Sequence, residues 1–220
     1  MRTRVKICCI RTIDEARLAI ALGADAVGFV GQRPPSPRTI SDAEIAAIVP
    51  LVPPPVATFL LSSERTAEAI SAQVRLTRPS VVQILPHLEP AESARLAALE
   101  PHLQRVQVIH VEGPEALELM PVYAPHVHAF LLDSGRPNAA VPHYGGTGRK
   151  HDWEVSARFV AASPRPVFLA GGLSAENAAA AIRQVRPYGL DLCTGVRTDG
   201  HLDREKLENF MAAVRQADGS

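Results

Sequence analysis

Two residues of this chain are best suited by type and position to move protons. Cys8 sits in the apolar run RVKICC (4–9), and Asp133 closes the run AFLLD (129–133). A thiolate is a base or a nucleophile, and a carboxyl at the end of a strand can serve as general acid or base. Neighbouring residues on a strand face opposite ways, so the pattern admits only one of Cys8 and Cys9 into a pocket. Lys6, two residues before Cys8, shares its face and brings a positive charge there. Each candidate also has a purely structural reading. Cysteine is a common small core filler, and an aspartate can simply cap a loop.

A second group of residues has the makings of an anion seat. The segment PVFLAGGLSAENAAAAIRQVRPYGLDLCTGV (166–196) reads as strand, helix, strand, with Ser174 as helix N-cap. Gly171, Gly172 and Gly195 fall where the strands finish, leaving backbone N–H groups open to a phosphate. The loop YGGTGRKHDW (144–153) adds glycines together with Arg149 and Lys150, a composition able to fold over the same phosphate. Tight turns or a solvated loop would account for these glycines equally well. Arg38 has the fork geometry to grip a carboxylate or stands as a solvated surface arginine. His110, Cys193 and Thr194 occupy other strand ends.

The elements that must position these groups alternate along the chain. Strands are expected at 4–9, 24–30, 55–61, 80–85, 105–111, 127–132, 167–170 and 190–193. Helices are expected from a Thr12 cap to Gly23, from Ser41 to Pro50, and at 63–76, 90–99, 114–123, 153–161, 174–187 and 203–215. Strict alternation means parallel strands and right-handed crossovers. Eight such units close into a single-domain α/β structure, a (βα)8 TIM barrel spanning residues 1–220 with the last few residues disordered. An open doubly wound sheet also alternates, but no GxGxxG follows the first strand. On a barrel, ligands meet the C-terminal ends of the strands, where the candidates above lie.

Composition limits the function classes. The chain has 23 basic and 23 acidic residues, so its zero formal charge argues against a nucleic-acid or acidic-membrane partner. Apolar runs fall short of a membrane span and the N-terminus lacks a signal-peptide core, so a cytoplasmic protein is expected. Three cysteines, two adjacent, make neither a disulfide framework nor a zinc motif. His126 and His128 share a face with no third ligand in view, and no metal or cofactor is expected.

Taken together, the motifs resemble the phosphoribosylanthranilate isomerase family, essentially end to end. VKICCI resembles the opening KICG motif, GADAVGFV with SPR (36–38) the second-strand block, and LLDS (131–134) the sixth-strand end. GGTG with DW, LAGGL with ENAAAAI, and GLDLCTGV complete the series in order. The resemblance implies an Amadori rearrangement of N-(5′-phosphoribosyl)anthranilate, part of tryptophan biosynthesis, without cofactor or metal. It implies Cys8 as base and Asp133 as acid; Lys6, placed beside Cys8 by the strand spacing, is counted with the substrate-binding residues. Arg38 would hold the anthranilate carboxylate, and the phosphate would lie against Gly146, Gly171, Gly172, Thr194 and Gly195. The partner would be a small phosphorylated substrate, and the chain a monomer or homodimer. Four places depart from the family pattern: Cys9 replaces a glycine, strand three ends FLLSS, strand four reads QILPH, and Arg197 replaces an acidic residue. These departures leave a second reading open, a related barrel that isomerises or only binds another phosphorylated sugar or amine.

Overall fold

A computed structural model describes residues 2–31, 38–135 and 152–219. The first half contains β1 (Arg4–Ile7), α1 (Ile13–Ala21), β2 (Ala26–Val30), α2 (Asp42–Ile48), β3 (Ala57–Ser62), α3 (Ala67–Thr77), β4 (Val81–Ile84) and α4 (Pro90–Leu99). The second contains β5 (Gln104–His110), α5 (Leu119–Tyr123), β6 (Ala129–Asp133), α6 (Trp153–Ala162), β7 (Val167–Leu169), α7 (Ala175–Val185), β8 (Gly189–Leu192) and α8 (Arg204–Asp218). The eight strands pair in sequence order, all parallel, and β8 returns to β1 to close the barrel. Closure brings the first and last strands of the barrel side by side and pairs Lys6 with Asp191 in register.

Alternation along the strands sorts side chains into two cores. Val5, Ile7, Val27, Phe29, Leu60, Val82, Ile109 and Leu190 point outward and pack under the helices. Ala26, Phe59, Leu61, Val81, Val106, Val108, Leu131 and Phe168 fill the barrel interior. Because both faces are covered, the strands read as continuous apolar runs. Toward the side where the strands end, the polar inward positions are Lys6, Gln83, His110, Asp133 and Asp191.

Most helix starts follow from their caps. The Thr12 side chain accepts the Glu15 N–H, and Ser41 and Glu44 form the reciprocal capping box. The third helix begins at Ala67 rather than residue 63, because Thr66 is the cap: its hydroxyl accepts the Ala69 N–H. The fifth helical segment is a 3-10 turn, Pro114–Glu118, running into a short α5. The closing helix runs through Asp218, whose carboxylate accepts the backbone N–H and hydroxyl of Thr3 at 2.8 and 2.6 Å. That contact ties the end of the chain to the strand at its start.

Candidate active site

The first strand is shorter than its apolar run suggests, and the reason shapes the site. β1 stops at Ile7, and Cys9 takes a left-handed backbone with φ of 63°. A non-glycine residue there is strained by about 1–2 kcal/mol, at the position where the resemblance has glycine. The turn breaks strand alternation. Cys8 and Cys9 therefore both join the interior cluster, with their sulfurs 3.8 Å apart. The expectation that only one of them faces inward is corrected by this turn. Hydrogen bonds from the Cys9 thiol to Cys193 and Cys8 keep the proton on Cys9 and push its pKa well up. The same contact to Cys9, with the positive charges of Arg38 and Arg197 beside it, lowers Cys193 to about 7 against the effect of burial.

Beneath the thiols lies a buried ion pair. Lys6 has no accessible surface, and its Nζ donates to Asp191 at 2.8 Å while lying 5.1 Å from the centre of the Phe59 ring. Burial alone would lower the ammonium's pKa, but the Asp191 carboxylate, together with the Cys8 and Cys9 sulfurs, outweighs it and holds Lys6 protonated. Gly28 makes room for this arrangement. A β-carbon there would lie 3.1 Å from Lys6 Nζ and 3.2 Å from Cys8 Sγ, so both side chains converge over that glycine. Lys6 thus stands under Cys8 and meets Asp191 rather than the open mouth. Replacing Lys6 by Met leaves Asp191 buried without its counter-ion, which costs about 3–5 kcal/mol. Urea denaturation is expected to read that loss for Lys6→Met, and the double variant with Asp191→Leu to regain most of it. Equal stabilities of the single and double variants would mean that the pair is not coupled.

Asp133 ends β6 opposite His110 in register. It keeps a small accessible face and accepts the Ser134 N–H at 2.7 Å. Burial pushes its carboxyl up to about 7, and the Asp191 charge adds to this, while the Ser134 N–H and Lys6 pull the other way. Asp133 therefore retains a proton near neutrality, as a general acid must. The Lys6–Asp191 pair acts electrostatically on Asp133, and Lys6 shares the space over Gly28 with Cys8. His110 is pushed by burial to about 4 and stays neutral, with Nε2 donating to the Leu85 carbonyl at 3.1 Å.

Two glycine turns and Thr194 build the adjoining rim. Gly171 and Gly172 have φ of 85° and 63°, the left-handed region that suits glycine. Asn177 donates to the Gly172 carbonyl at 2.8 Å and accepts the Ser174 N–H, locking this turn to the start of α7. Gly195 is pressed against the same turn: a β-carbon there would fall 2.0 Å from the Leu173 carbonyl oxygen. Arg38 donates to the Thr194 hydroxyl at 3.2 Å, so it reaches the rim across 156 residues of chain. Gly146, with the GGTG loop, Arg149 and Lys150, lies outside the described residues.

Sequence reading missed Asp191 and Glu15. The signal for Asp191 was present: a single charge inside the apolar run GLDL, on the inward period of the strand. Glu15 looked like an ordinary first-turn helix residue, yet it pairs with Arg197 at 2.8 Å. Among the described residues no group of three or more His, Cys, Asp or Glu side chains is placed to hold a metal. Of the two paired histidines, His128 is engaged structurally, its Nδ1 accepting the Arg105 N–H.

This arrangement has close relatives. The family model for N-(5′-phosphoribosyl)anthranilate (PRA) isomerase matches residues 5–213. A protein of Methanosarcina mazei named N-(5′-phosphoribosyl)anthranilate isomerase 2 is 35% identical over 210 residues, covering 94% of this chain and 92% of its own. The crystal structure of phosphoribosyl anthranilate isomerase from Thermus thermophilus superposes with a TM-score of 0.82 at 30% identity, covering 97% of this chain and 99% of that one. An isomerase crystallised with reduced 1-(o-carboxyphenylamino)-1-deoxyribulose 5-phosphate gives a TM-score of 0.81 at 26% identity, with coverage of 97% and 99%. With the barrel, the strand-end thiol and carboxyl, and a near full-length match all in agreement, the chain belongs to the N-(5′-phosphoribosyl)anthranilate isomerase family.

Proposed function

We propose that this protein isomerises N-(5′-phosphoribosyl)anthranilate to the corresponding aminoketose by general acid and base catalysis, with Asp133 as acid and Cys8 as base. The observation that carries the reading is an aspartate buried enough to titrate at about 7 at the same barrel end as a thiol set beside an ammonium. Asp133 gives its proton to the furanose ring oxygen, and the C1′–oxygen bond breaks to leave a protonated imine. The Cys8 thiolate then removes the C2′ proton, and the electron pair of that C–H bond moves toward the imine to give an enolamine. Proton return and tautomerisation yield the ketose. Nothing is oxidised or reduced overall, so no external electron carrier is needed.

Binding follows the charges. The 5′-phosphate lies against the N–H groups and hydroxyl of Gly171, Gly172, Thr194 and Gly195, and Gly146 joins them by the family resemblance alone. Arg38, held at the rim by Thr194, receives the anthranilate carboxylate. The aromatic ring packs on apolar strand ends such as Leu61 and Leu85, both buried and inward-facing; hydrocarbon suits an aromatic face here as well as the polar ends the resemblance has. Lys6 supports Cys8 from below rather than touching substrate. The substrate is the only partner this reading requires, and the chain works as a monomer or homodimer in the cytoplasm; among the described residues no helix is long and apolar enough to cross a membrane.

The test follows the fluorescence of freshly generated phosphoribosylanthranilate with the purified protein. Enzyme-dependent decay is expected. Absence of decay, combined with thermal stabilisation by a phosphosugar, would keep the phosphate seat and discard the substrate.

A further inference from the structure

The turn that aims Cys8 is held from outside the barrel. The Arg197 Nη2 donates to the carbonyl of Cys9 at 2.6 Å and to that of Cys8 at 3.3 Å. Its Nη1 donates to Glu15 Oε1 at 2.8 Å and to the Gly200 carbonyl at 3.0 Å. The Arg197 side chain is 3% exposed and that of Glu15 is 13% exposed, so the pair is shielded from water. Glu15 is fixed in turn, accepting the backbone N–H groups of Arg11 at 2.9 Å and Leu202 at 3.0 Å. The guanidinium is thus clamped between the helix that follows Cys8 and a short hairpin after β8 (Arg197–Thr198 paired with His201–Leu202), with two of its bonds on the strained Cys8–Cys9 turn.

We infer that Arg197, braced by Glu15, is a positioning residue that holds Cys9 in its left-handed conformation and so keeps the Cys8 sulfur aimed into the site. Two departures from the family pattern are thereby linked: where a glycine would take this backbone unaided, Cys9 takes it under the grip of Arg197. The inference rests on the reading of Cys8 as the base.

Arg197→Met is expected to lower kcat by about 100-fold with little change in KM, the scale of a misplaced catalytic group. The decisive variant is Cys9→Gly in that background. Glycine adopts positive φ without help, so most of the lost kcat returns if Arg197 acts by holding the turn. A residue that merely stabilised the fold would lower the melting temperature, and Cys9→Gly would not restore kcat; that result overturns the inference. If Arg197→Met does not fold, Arg197→Lys and Glu15→Gln carry the same comparison with and without Cys9→Gly. Site-resolved alkylation of Cys8 by iodoacetamide, mapped by fragment mass spectrometry, gives a readout independent of turnover. Its rate should change in Arg197→Met and return toward the unmodified value with Cys9→Gly. If the variants show this pattern while the unmodified protein has no isomerase activity, the assigned reaction falls and the turn mechanism stands, whereas an unchanged alkylation rate in Arg197→Met sinks the turn mechanism.

Discussion

Asp133→Asn is expected to cost about 10³-fold in kcat/KM, within the range for a general acid, while making the fold more stable at alkaline pH. Both effects come from one property. Burial raises the carboxyl from its ordinary 3.8 to about 7, so the folded state binds this proton more tightly than the unfolded chain does. Between those values the native state holds more protons, and stability therefore falls as pH rises. Below about pH 4 the residue is protonated in both states and contributes nothing; above about pH 7 the native state carries the full cost of a buried charge. Asparagine carries no charge at any pH. Thermal melts should thus show a stability advantage of the variant at about pH 8 that shrinks toward pH 5. In the unmodified enzyme the log of kcat/KM should fall on an alkaline limb centred near 7, where Asp133 loses its proton. A pH-independent difference in melting temperature would show that the carboxyl is not held protonated by its surroundings.

Cys8→Ser is expected to lose about 10²–10⁴-fold in kcat, because a hydroxyl is a far poorer base precursor than a thiol, with secondary structure and melting temperature little changed. Three thiols meet in this site, so the contrast among them matters as much as the loss. Cys9→Gly relieves a strained φ of 63° and should reduce kcat by less than about tenfold. Cys193→Ser should also reduce it by less than about tenfold, even though Cys193 is the thiol lowered to about 7. The distinction is positional: Cys8 shares the space over Gly28 with the Lys6 ammonium, whereas Cys193 takes its hydrogen bond from Cys9. If Cys193→Ser were the inactive variant and Cys8→Ser the active one, the role of base would pass to Cys193.

Local sequence determined much of this protein. The alternation of apolar runs with capped amphipathic segments points to eight parallel strands, since short, mostly apolar runs bounded by turn residues fit strands covered on both faces. The caps Thr12 and Ser41 and the helix at 90–99 were legible for the same reason, that they depend on neighbours within a turn or two. Cys8 and Asp133 were legible because each stands where an apolar run ends. Tertiary structure alone decided what those groups are. The Lys6–Asp191 pair joins residues 185 apart and the Arg197–Glu15 pair residues 182 apart, contacts that exist only once β8 closes on β1. Strand periodicity predicted one inward cysteine; a left-handed turn at Cys9, gripped by a distant arginine, turned both inward. The proton held by Asp133 likewise follows from burial among other strands, a property no stretch of sequence around LLDS contains.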